Sequence, residues 1–350
     1  MHSPSTRYPS VPDTIAPPRG ATDPLARLAA LPAERLFSAP TPIEEMTRLR
    51  AALGGERRAP RLLVKRDDAI PFGFGGNKVR KLQLVAADAK ACGADTLITV
   101  GAVQSNHMRA TASTAARLGY RCVLVANGSP PAPPRANALL DALLGAEIHY
   151  VAARDERAPK MREIAERLRA DGATPYEVPL GASTPLGAAA FARAVSELRG
   201  QLPDGAEPDV IVHASSSGGT QAGLAAGCVL HGFQTRVIGI SADDAAGAIE
   251  GEVRRIISGL GALLGDGGDD LARAAHVEVD DSFVGEGYGV PSPASHEAQS
   301  LAARTEALFV DHTYTAKALA ALIAHVRAGR FAPHESVLFW HTGGQVGLFA

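Results

Sequence analysis

Cysteine is scarce: Cys92, Cys122 and Cys228 are the only three in 350 residues, far apart and in no C-x-x-C pair or Cys/His cluster. A disulfide framework and a zinc site of the usual spacing are thereby excluded, no metal is expected, and a reducing, cytoplasmic setting is the expectation. Long runs of one charge are missing as well. With 35 basic and 37 acidic residues the net charge is −2, which gives nucleic acid and anionic membranes no electrostatic footprint. The proline-rich stretch Met1–Pro24 lacks the apolar core of a signal peptide or a membrane span, so residues 1–25 are expected to form a flexible tail. Neither G-x-x-x-x-G-K-[ST] nor G-x-G-x-x-G occurs after a strand, which removes support from nucleoside-triphosphate and dinucleotide readings. No internal repeat is found.

What is present is the composition of a globular enzyme, 46% hydrophobic and 21% charged, long enough for two domains. From Leu97 onward, short β-type runs alternate with amphipathic helical stretches: 96–100, 106–118, 122–126, 136–144, 147–151, 160–170 and 176–180. This rhythm predicts a compact parallel unit. A second set follows: helix 186–198, strand 210–214, helix 221–231 and strand 236–241, joined by strands at 61–65 and 336–339. The expected organisation is α/β with a small domain, 82–181, inserted into a large one made of 26–81 and 182–350. The cleft between them is the expected site. The Gly- and Asp-rich segment 259–270 reads as a surface connection.

Four segments carry chemistry. In Gly75-Gly76-Asn77-Lys78 two glycines precede a lysine at a helix entry. They let the backbone approach a ligand, and Arg80 and Lys81 nearby would lower the lysine pKa toward the neutral amine an imine requires. Taken alone, the signal is weak and a solvated loop lysine is the readier reading of Lys78. The run Ser215 to Gly223 follows an apolar strand and opens a helix, an arrangement that suits a phosphate, with Ser217 and Thr220 adding hydroxyls. At another strand end Ser105 can cap the helix whose first turn holds Asn106 and His107, and a carboxylate would fit there. Near the C-terminus stand Gly287-Tyr288-Gly289, Tyr314-Thr315 and His341-Thr342-Gly343-Gly344, with Thr342 at a strand end facing the cleft.

In order and spacing, Arg66-Asp67-Asp68, Gly75 to Lys78, Gln104 to His107, Ser217 to Gly223, Tyr314-Thr315 and His341 to Gly344 resemble the fold-type II pyridoxal-phosphate enzymes. Within these the chain is similar to the D-cysteine desulfhydrase and 1-aminocyclopropane-1-carboxylate deaminase family, from about Leu36 to the last residue. The resemblance implies a tryptophan synthase β-like pair of parallel-sheet domains with pyridoxal 5'-phosphate in the interdomain cleft, in a homodimer. It implies that Lys78 holds the cofactor as a Schiff base and shuttles the α-proton, beside Asn77. Asn106 would contact the phenolic oxygen, while Ser217, Gly218, Gly219 and Thr220 hold the phosphate. Tyr288 and Tyr314 would flank ring and substrate, Ser105, Asn106 and His107 would grip the substrate carboxylate, and Thr315 or Thr342 would face the pyridine nitrogen.

Departures are Ser216, where the family usually has glycine and where a positive φ would be strained, together with Pro71, Phe72 and Val79 around the lysine. The chain also stops at Ala350, soon after the last motif. The cyclopropane deaminases resemble this chain but carry a glutamate after the second tyrosine; here it is Thr315. A neutral hydroxyl gives a weaker electron sink, which suits loss of a good β-leaving group. The expected reaction is β-elimination from D-cysteine to pyruvate, ammonia and hydrogen sulfide. L-cysteate sulfo-lyase, the cyclopropane deaminase and a catalytically silent cofactor-binding protein are the alternatives. A sulfonate would need a cation, for which the motifs offer His107, His312 or His341.

Overall fold

The computed structural model describes residues 23–203, 205–265 and 267–350. Most of the tail expected over residues 1–25 lies outside the described residues. At its end, Asp23 caps the helix Pro24–Ala30 by accepting from the Ala26 amide, and Leu28 of that helix is buried.

Two parallel sheets organise the chain. One has six strands in the order β1-β2-β10-β7-β8-β9, namely Ile43–Glu45, Arg61–Arg66, Ser336–His341, Val210–Ser215, Arg236–Ser241 and Glu278–Asp280. Only β1 runs antiparallel to its neighbour. The other has four parallel strands in the order β5-β4-β3-β6: Glu147–Val151, Arg121–Asn127, Thr96–Ala102 and Pro175–Val178.

Side-chain parity explains why both sheets are apolar on both faces. In β4, Cys122, Leu124 and Ala126 join a core with Met108 of the helix Asn106–Leu118, whereas Val123 and Val125 pack with Met161, Ile164 and Leu168 of the helix Arg157–Ala170. In the larger sheet, Leu338 and Trp340 face the helices Pro185–Gln201, Gly219–Leu230 and Ala246–Leu264, while Val337 and Phe339 face Pro293–Glu306 and Thr315–Arg327.

The helix Asn77–Ala91 serves both sheets. Its Leu84 and Ala87 enter the core with Leu186 and Phe191, whereas Val79, Leu82, Val85 and Ala89 enter the core with Leu97 and Met108. It therefore runs through the point, between 81 and 82, where the sequence suggests a domain boundary.

The segment 259–270 is not a surface connection. Gly259 to Leu264 are the last turns of the helix Ala246–Leu264, and Gly268–Ala274 is another helix. Leu260 and Leu264 are fully buried on the stripe begun by Ile249, Val253, Ile256 and Ile257. The glycines allow close approach rather than flexibility: a Cβ on Gly259 would stand 2.5 Å from Pro185 and one on Gly261 2.6 Å from the Gly268 Cα.

The entry to the lysine helix is fixed by a buried ionic network. Asp67, at the end of β2, has no exposed surface. Its carboxylate accepts from Arg80 Nε and Nη2 at 2.9 and 2.7 Å, from Trp340 Nε1 at 2.8 Å and from Thr41 Oγ1 at 3.0 Å. Arg80 reaches on to Glu197 at 2.9 Å, and Lys65 meets the same carboxylate at 2.5 Å. Burial alone would raise the Glu197 pKa, but the hydrogen bonds and charges of Arg80 and then Lys65 bring it down to about 2.

Arg80→Met leaves Asp67 buried without its cation, so unfolding free energy in urea should fall by about 3–5 kcal/mol; a loss below about 1 kcal/mol would show that the network is not structural. The Glu197 pKa is depressed in the fold, so its contribution is complete above its ordinary value of 4.5 and is lost as pH falls toward about 2. The variant should accordingly unfold at a higher pH than the parent during acid titration.

Candidate active site

A cavity of about 280 Å³ opens where the C-terminal ends of strands from both sheets converge. The ends of β3 and β4 bring Gly101, Ala102 and Asn127, with Ser105, Asn106 and His107 following β3; β7 brings Ser215 to Gly218, β8 is followed by Asp243, and β10 by Thr342 and Gly343.

Lys78 lies on its wall in the first turn of the helix Asn77–Ala91, with Nζ 3.3 Å from where a Cβ on Gly181 would stand. Burial lowers its pKa to about 8. The Arg80 charge, which the sequence places beside it, is turned away into Asp67 and Glu197. The lysine is presented by a tight crossing of backbones: Gly76 holds φ +95°, its Cβ would fall 2.9 Å from the Thr342 carbonyl oxygen, and Asn77 N donates to that oxygen at 3.0 Å. Asn77 Nδ2 donates to Thr220 Oγ1 at 3.0 Å.

The turn after β7 makes an anion cradle. Gly218 is left-handed at φ 76° and has no side chain to cap the helix Gly219–Leu230, so amides of its first turn beyond Gly219 are left for an anion. Ser217 Oγ meets Ser183 Oγ at 2.7 Å, and Ser183 Oγ accepts from Gly219 N at 3.3 Å. Lys81 lies beneath, donating to Gly181 O at 3.1 Å and Ser183 Oγ at 3.3 Å. A Cβ on Gly219 would stand within 2.9 Å of both Ser183 and Lys81, so Gly219 backs the turn rather than lining the cavity. The strain expected at Ser216 is absent: it is not among the positive-φ residues, and its hydroxyl donates to Asp243 Oδ1 at 3.0 Å. The left-handed position is Gly218.

Across the cavity Ser105 caps the helix Asn106–Leu118, accepting from the amides of His107 at 3.2 Å and Met108 at 3.3 Å. His107 Nε2 lies 2.9 Å from Thr99 Oγ1, whose single proton goes to Val178 O at 2.7 Å. The proton between Thr99 and His107 therefore belongs to Nε2, which leaves Nδ1 as an acceptor without a partner among the described residues. Burial, then the charges of Lys78 and Lys81, hold the His107 pKa well below its ordinary value, so the ring is neutral. His107 is thus no cation for a sulfonate.

Tyr288 and Tyr314 join hydroxyl to hydroxyl at 2.5 Å with their rings edge to face. Burial raises both pKa values, Tyr314 the more, so both are protonated at neutral pH. Tyr314 is fixed by Asp311, which accepts from the Thr313, Tyr314 and Thr315 amides, each at 3.0 Å. Thr315 gives its hydroxyl to Asp311 at 2.7 Å and does not line the cavity, whereas Thr342 does.

The structure therefore brings Asn77, Lys78, Ser105, Asn106, His107, Ser217, Gly218, Thr220, Tyr288, Tyr314 and Thr342 to one cavity, with Gly219 behind it and Thr315 outside. Its wall also holds Arg154, Arg157, Asn127 and Asp243, which carry no motif. Arg154 pairs with Asp243 at 3.2 Å and Asp244 at 3.3 Å. The signal that could have found them is positional: Arg154 and Asp243 each lie two or three residues beyond a parallel strand, on the edge where such sheets bind ligands. His312 and His341 are not on the wall.

A single-ring phosphate ester fits these residues: an uncapped helix end flanked by Ser217 and Thr220 for the phosphate, a lysine of lowered pKa, and a cavity near the lower bound of small-ligand sites. Comparison with known proteins agrees. Residues 35–343 match the family described as "Pyridoxal-phosphate dependent enzyme". The D-cysteine desulfhydrase of Klebsiella pneumoniae strain 342 is 36% identical over 331 residues, 93% of this chain and 98% of the relative. That of K. pneumoniae strain MGH 78578 is 37% identical over 333 residues, with the same coverage. Among solved structures, an ACC deaminase homologue superposes with a TM-score of 0.84 at 33% identity, covering 94% of this chain and 97% of its own. The threonine deaminase of T.th., at 24% identity and a TM-score of 0.63 over 87% of this chain and 92% of its own, shares the fold. With the matched segment spanning nearly the whole chain and the lysine and anion cradle facing one cavity, the chain belongs to the pyridoxal-phosphate-dependent enzymes and takes pyridoxal phosphate as its cofactor.

Proposed function

We propose that the chain is a lyase that removes the β-substituent of a small amino acid, with D-cysteine as its first substrate and hydrogen sulfide, pyruvate and ammonia as products. The observation that carries this reading is the identity of 36–37% to D-cysteine desulfhydrases over 93% of the chain. When bound, pyridoxal phosphate supplies the electron sink that lets the Cα–H and Cβ–S bonds break heterolytically. The protein's part is to bind, orient and move protons. Lys78 would hold the cofactor through its amine and take the α-proton, for which burial has prepared it. Ser217, Gly218, Gly219 and Thr220 would hold the phosphate, with Asn77 steadying Thr220 and Lys81 beneath. Asn106 would donate to the phenolic oxygen. Ser105, Asn106 and His107 would hold the substrate carboxylate at the helix N-terminus, although Ser105 must share its hydroxyl with the cap.

Tyr288 and Tyr314, both protonated, would give a proton to the departing sulfur, whose bond electrons leave with it. The released enamine takes up water to give the keto acid and ammonia. Thr342 is the hydroxyl that would face the pyridine nitrogen; Thr315 belongs to the support of Tyr314. Asp243 is the only carboxylate on the cavity wall among the described residues, and it is committed to Ser216 and Arg154. Without an acid at the ring nitrogen, ring opening of the cyclopropane substrate is disfavoured. A second reading, removal of sulfite from L-cysteate, is favoured by Arg154 and Arg157 on the wall. The domain division at 82–181, a homodimer and a cytoplasmic location are proposed with this reading; no helix among the described residues is long and apolar enough to cross a membrane.

The deciding experiment compares D-cysteine, β-chloro-D-alanine, L-cysteate, L-cysteine and the cyclopropane acid by kcat/KM. D-cysteine should lead and the cyclopropane should be inert or very slow; dominant ring opening would overturn the role given to Thr342, and preference for L-cysteate would transfer the reading to the sulfo-lyase. Lys78→Ala should lose the visible absorption band and all turnover while remaining folded, and cofactor uptake by the parent apoprotein should accelerate as pH rises through about 8. An unchanged band would remove Lys78 from its role. Thr220→Ala should weaken cofactor affinity by about ten- to a hundredfold, the loss of one charge-assisted hydrogen bond, as measured by titration of apoprotein. Equal affinities would place the phosphate elsewhere.

A further inference from the structure

Behind Asn106, outside the cavity, lies a polar cluster that the reaction above does not use. Arg109, one turn further along the same helix, is 1% exposed, and Asn137 of the helix Ala136–Leu143 is completely buried. Arg109 Nη1 lies 3.1 Å from Asn106 Oδ1 and 3.1 Å from Asn137 Oδ1, and Nη2 donates to Gly75 O at 2.9 Å. Asn137 Nδ2 donates to Gln104 O at 2.8 Å and to Asn106 Oδ1 at 3.0 Å. Asp141, in the next turn of that helix, is 1% exposed, and neither carboxylate oxygen has a hydrogen-bond partner among the described residues.

A guanidinium can only donate, so the orientation of each amide follows from Arg109 outward. Asn137 must present Oδ1 to Arg109, which sends its Nδ2 to Gln104 O and Asn106. Asn106 then receives two donors on Oδ1, and a flip would set its NH₂ against both. Its Nδ2 is the remaining end, 3.3 Å from where a Cβ on Gly344 would stand. Asn106 lines the cavity, and with Oδ1 held by Arg109 and Asn137 the Nδ2 donor is the only end of its amide left uncommitted.

Holding a desolvated guanidinium here is costly unless it is paired and hydrogen-bonded. Asp141 is coupled to it by charge without touching it, and Arg109 Nε has no partner among the described residues: burial pushes the Asp141 carboxyl up to about 7 against the pull of Arg109, and burial lowers Arg109 to about 10 against the pull of Asp141. A residue that only filled space could be apolar. This one instead touches a cavity residue and the loop that presents Lys78.

We propose that Arg109 is a positioning residue that acts through Asn106, fixing its amide nitrogen toward the cavity and clamping Gly75 of the lysine loop, with Asn137 as second anchor and Asp141 as counter-charge. The proposal rests on the assignment of Asn106 as donor to the cofactor's phenolic oxygen. A donor fixed on that oxygen weakens its hold on the neighbouring proton, so loss of the donor must raise the pH at which the visible band titrates.

The test is the midpoint of that titration in cofactor-loaded parent, Asn106→Ala, Arg109→Lys, the pair Arg109→Met with Asp141→Leu, and each of the last two combined with Asn106→Ala. Arg109→Lys keeps the charge opposite Asp141, and so the fold, but one ammonium cannot reach two amide oxygens and Gly75 O together. The double replacement removes both charges and leaves neither stranded. Asn106→Ala should raise the midpoint by about one to two pH units. Arg109→Lys and the pair should move it in the same direction, with no further shift when Asn106→Ala is added. A midpoint equal to the parent's in both Arg109 variants, or shifts that add to that of Asn106→Ala, overturns the proposal. If Asn106→Ala alone leaves the midpoint unmoved, the assignment of Asn106 fails and the role of Arg109 falls with it.

Discussion

The Asp67 carboxylate is closed off from water and must find its partners inside the protein. It finds them in three elements, Arg80 on the lysine helix, Trp340 on β10 and Thr41 ahead of β1, while the Asp67 backbone oxygen takes the amide of Gly76. Much of the cavity's geometry follows from this constraint. Because Arg80 and Gly76 flank Lys78, the direction in which the lysine enters the cavity is set by a charge pair on the far side of its helix. Removing either ion strands the other in a medium that cannot solvate it, so the pair specifies the helix entry even though its net contribution to stability is modest.

A second economy lies in the strand ends. The anion cradle, the turn at Ser105 and the Thr342 hydroxyl all follow parallel strands at their C-terminal edge, and the first two open helices whose N-termini present their amides. Chemistry is then divided by electrostatics. Lys78, His107 and the two tyrosines are all pushed by burial toward their neutral forms, so at neutral pH the site is supplied with one potential base, one neutral acceptor and two proton donors.

Much of this is legible in the sequence, for identifiable reasons. Helix 106–118 and strands 147–151 and 236–241 have the bounds expected, because Ser105 and Gly119 close the helix at its two ends and a glycine turn, Gly145 or Gly232, precedes each strand. The three-residue strands β1 and β9 are too short to show a period, and the sequence does not announce them. Glycines mislead in both directions: at 259 and 261 they permit close packing within a helix, and the strain expected at Ser216 is taken by Gly218. Local spacing makes Thr315 and Thr342 equal candidates, and only the fold shows one hydroxyl spent on Asp311. Arg154, Arg157 and Asp243 carry no motif because what brings them to the cavity is the meeting of two sheets far apart in the chain.

The helix Asn77–Ala91 belongs to two cores at once, and this has a kinematic consequence. A rotation of one sheet against the other takes its axis close to the element that is packed into both. In such a rotation displacement would be smallest near this helix, whose first turn carries Lys78, and would grow with distance toward the rim where Arg154 meets Asp243 and Asp244. Such a pivot would set two amplitudes within one cavity: Lys78 would stay nearly still while the opposite walls moved.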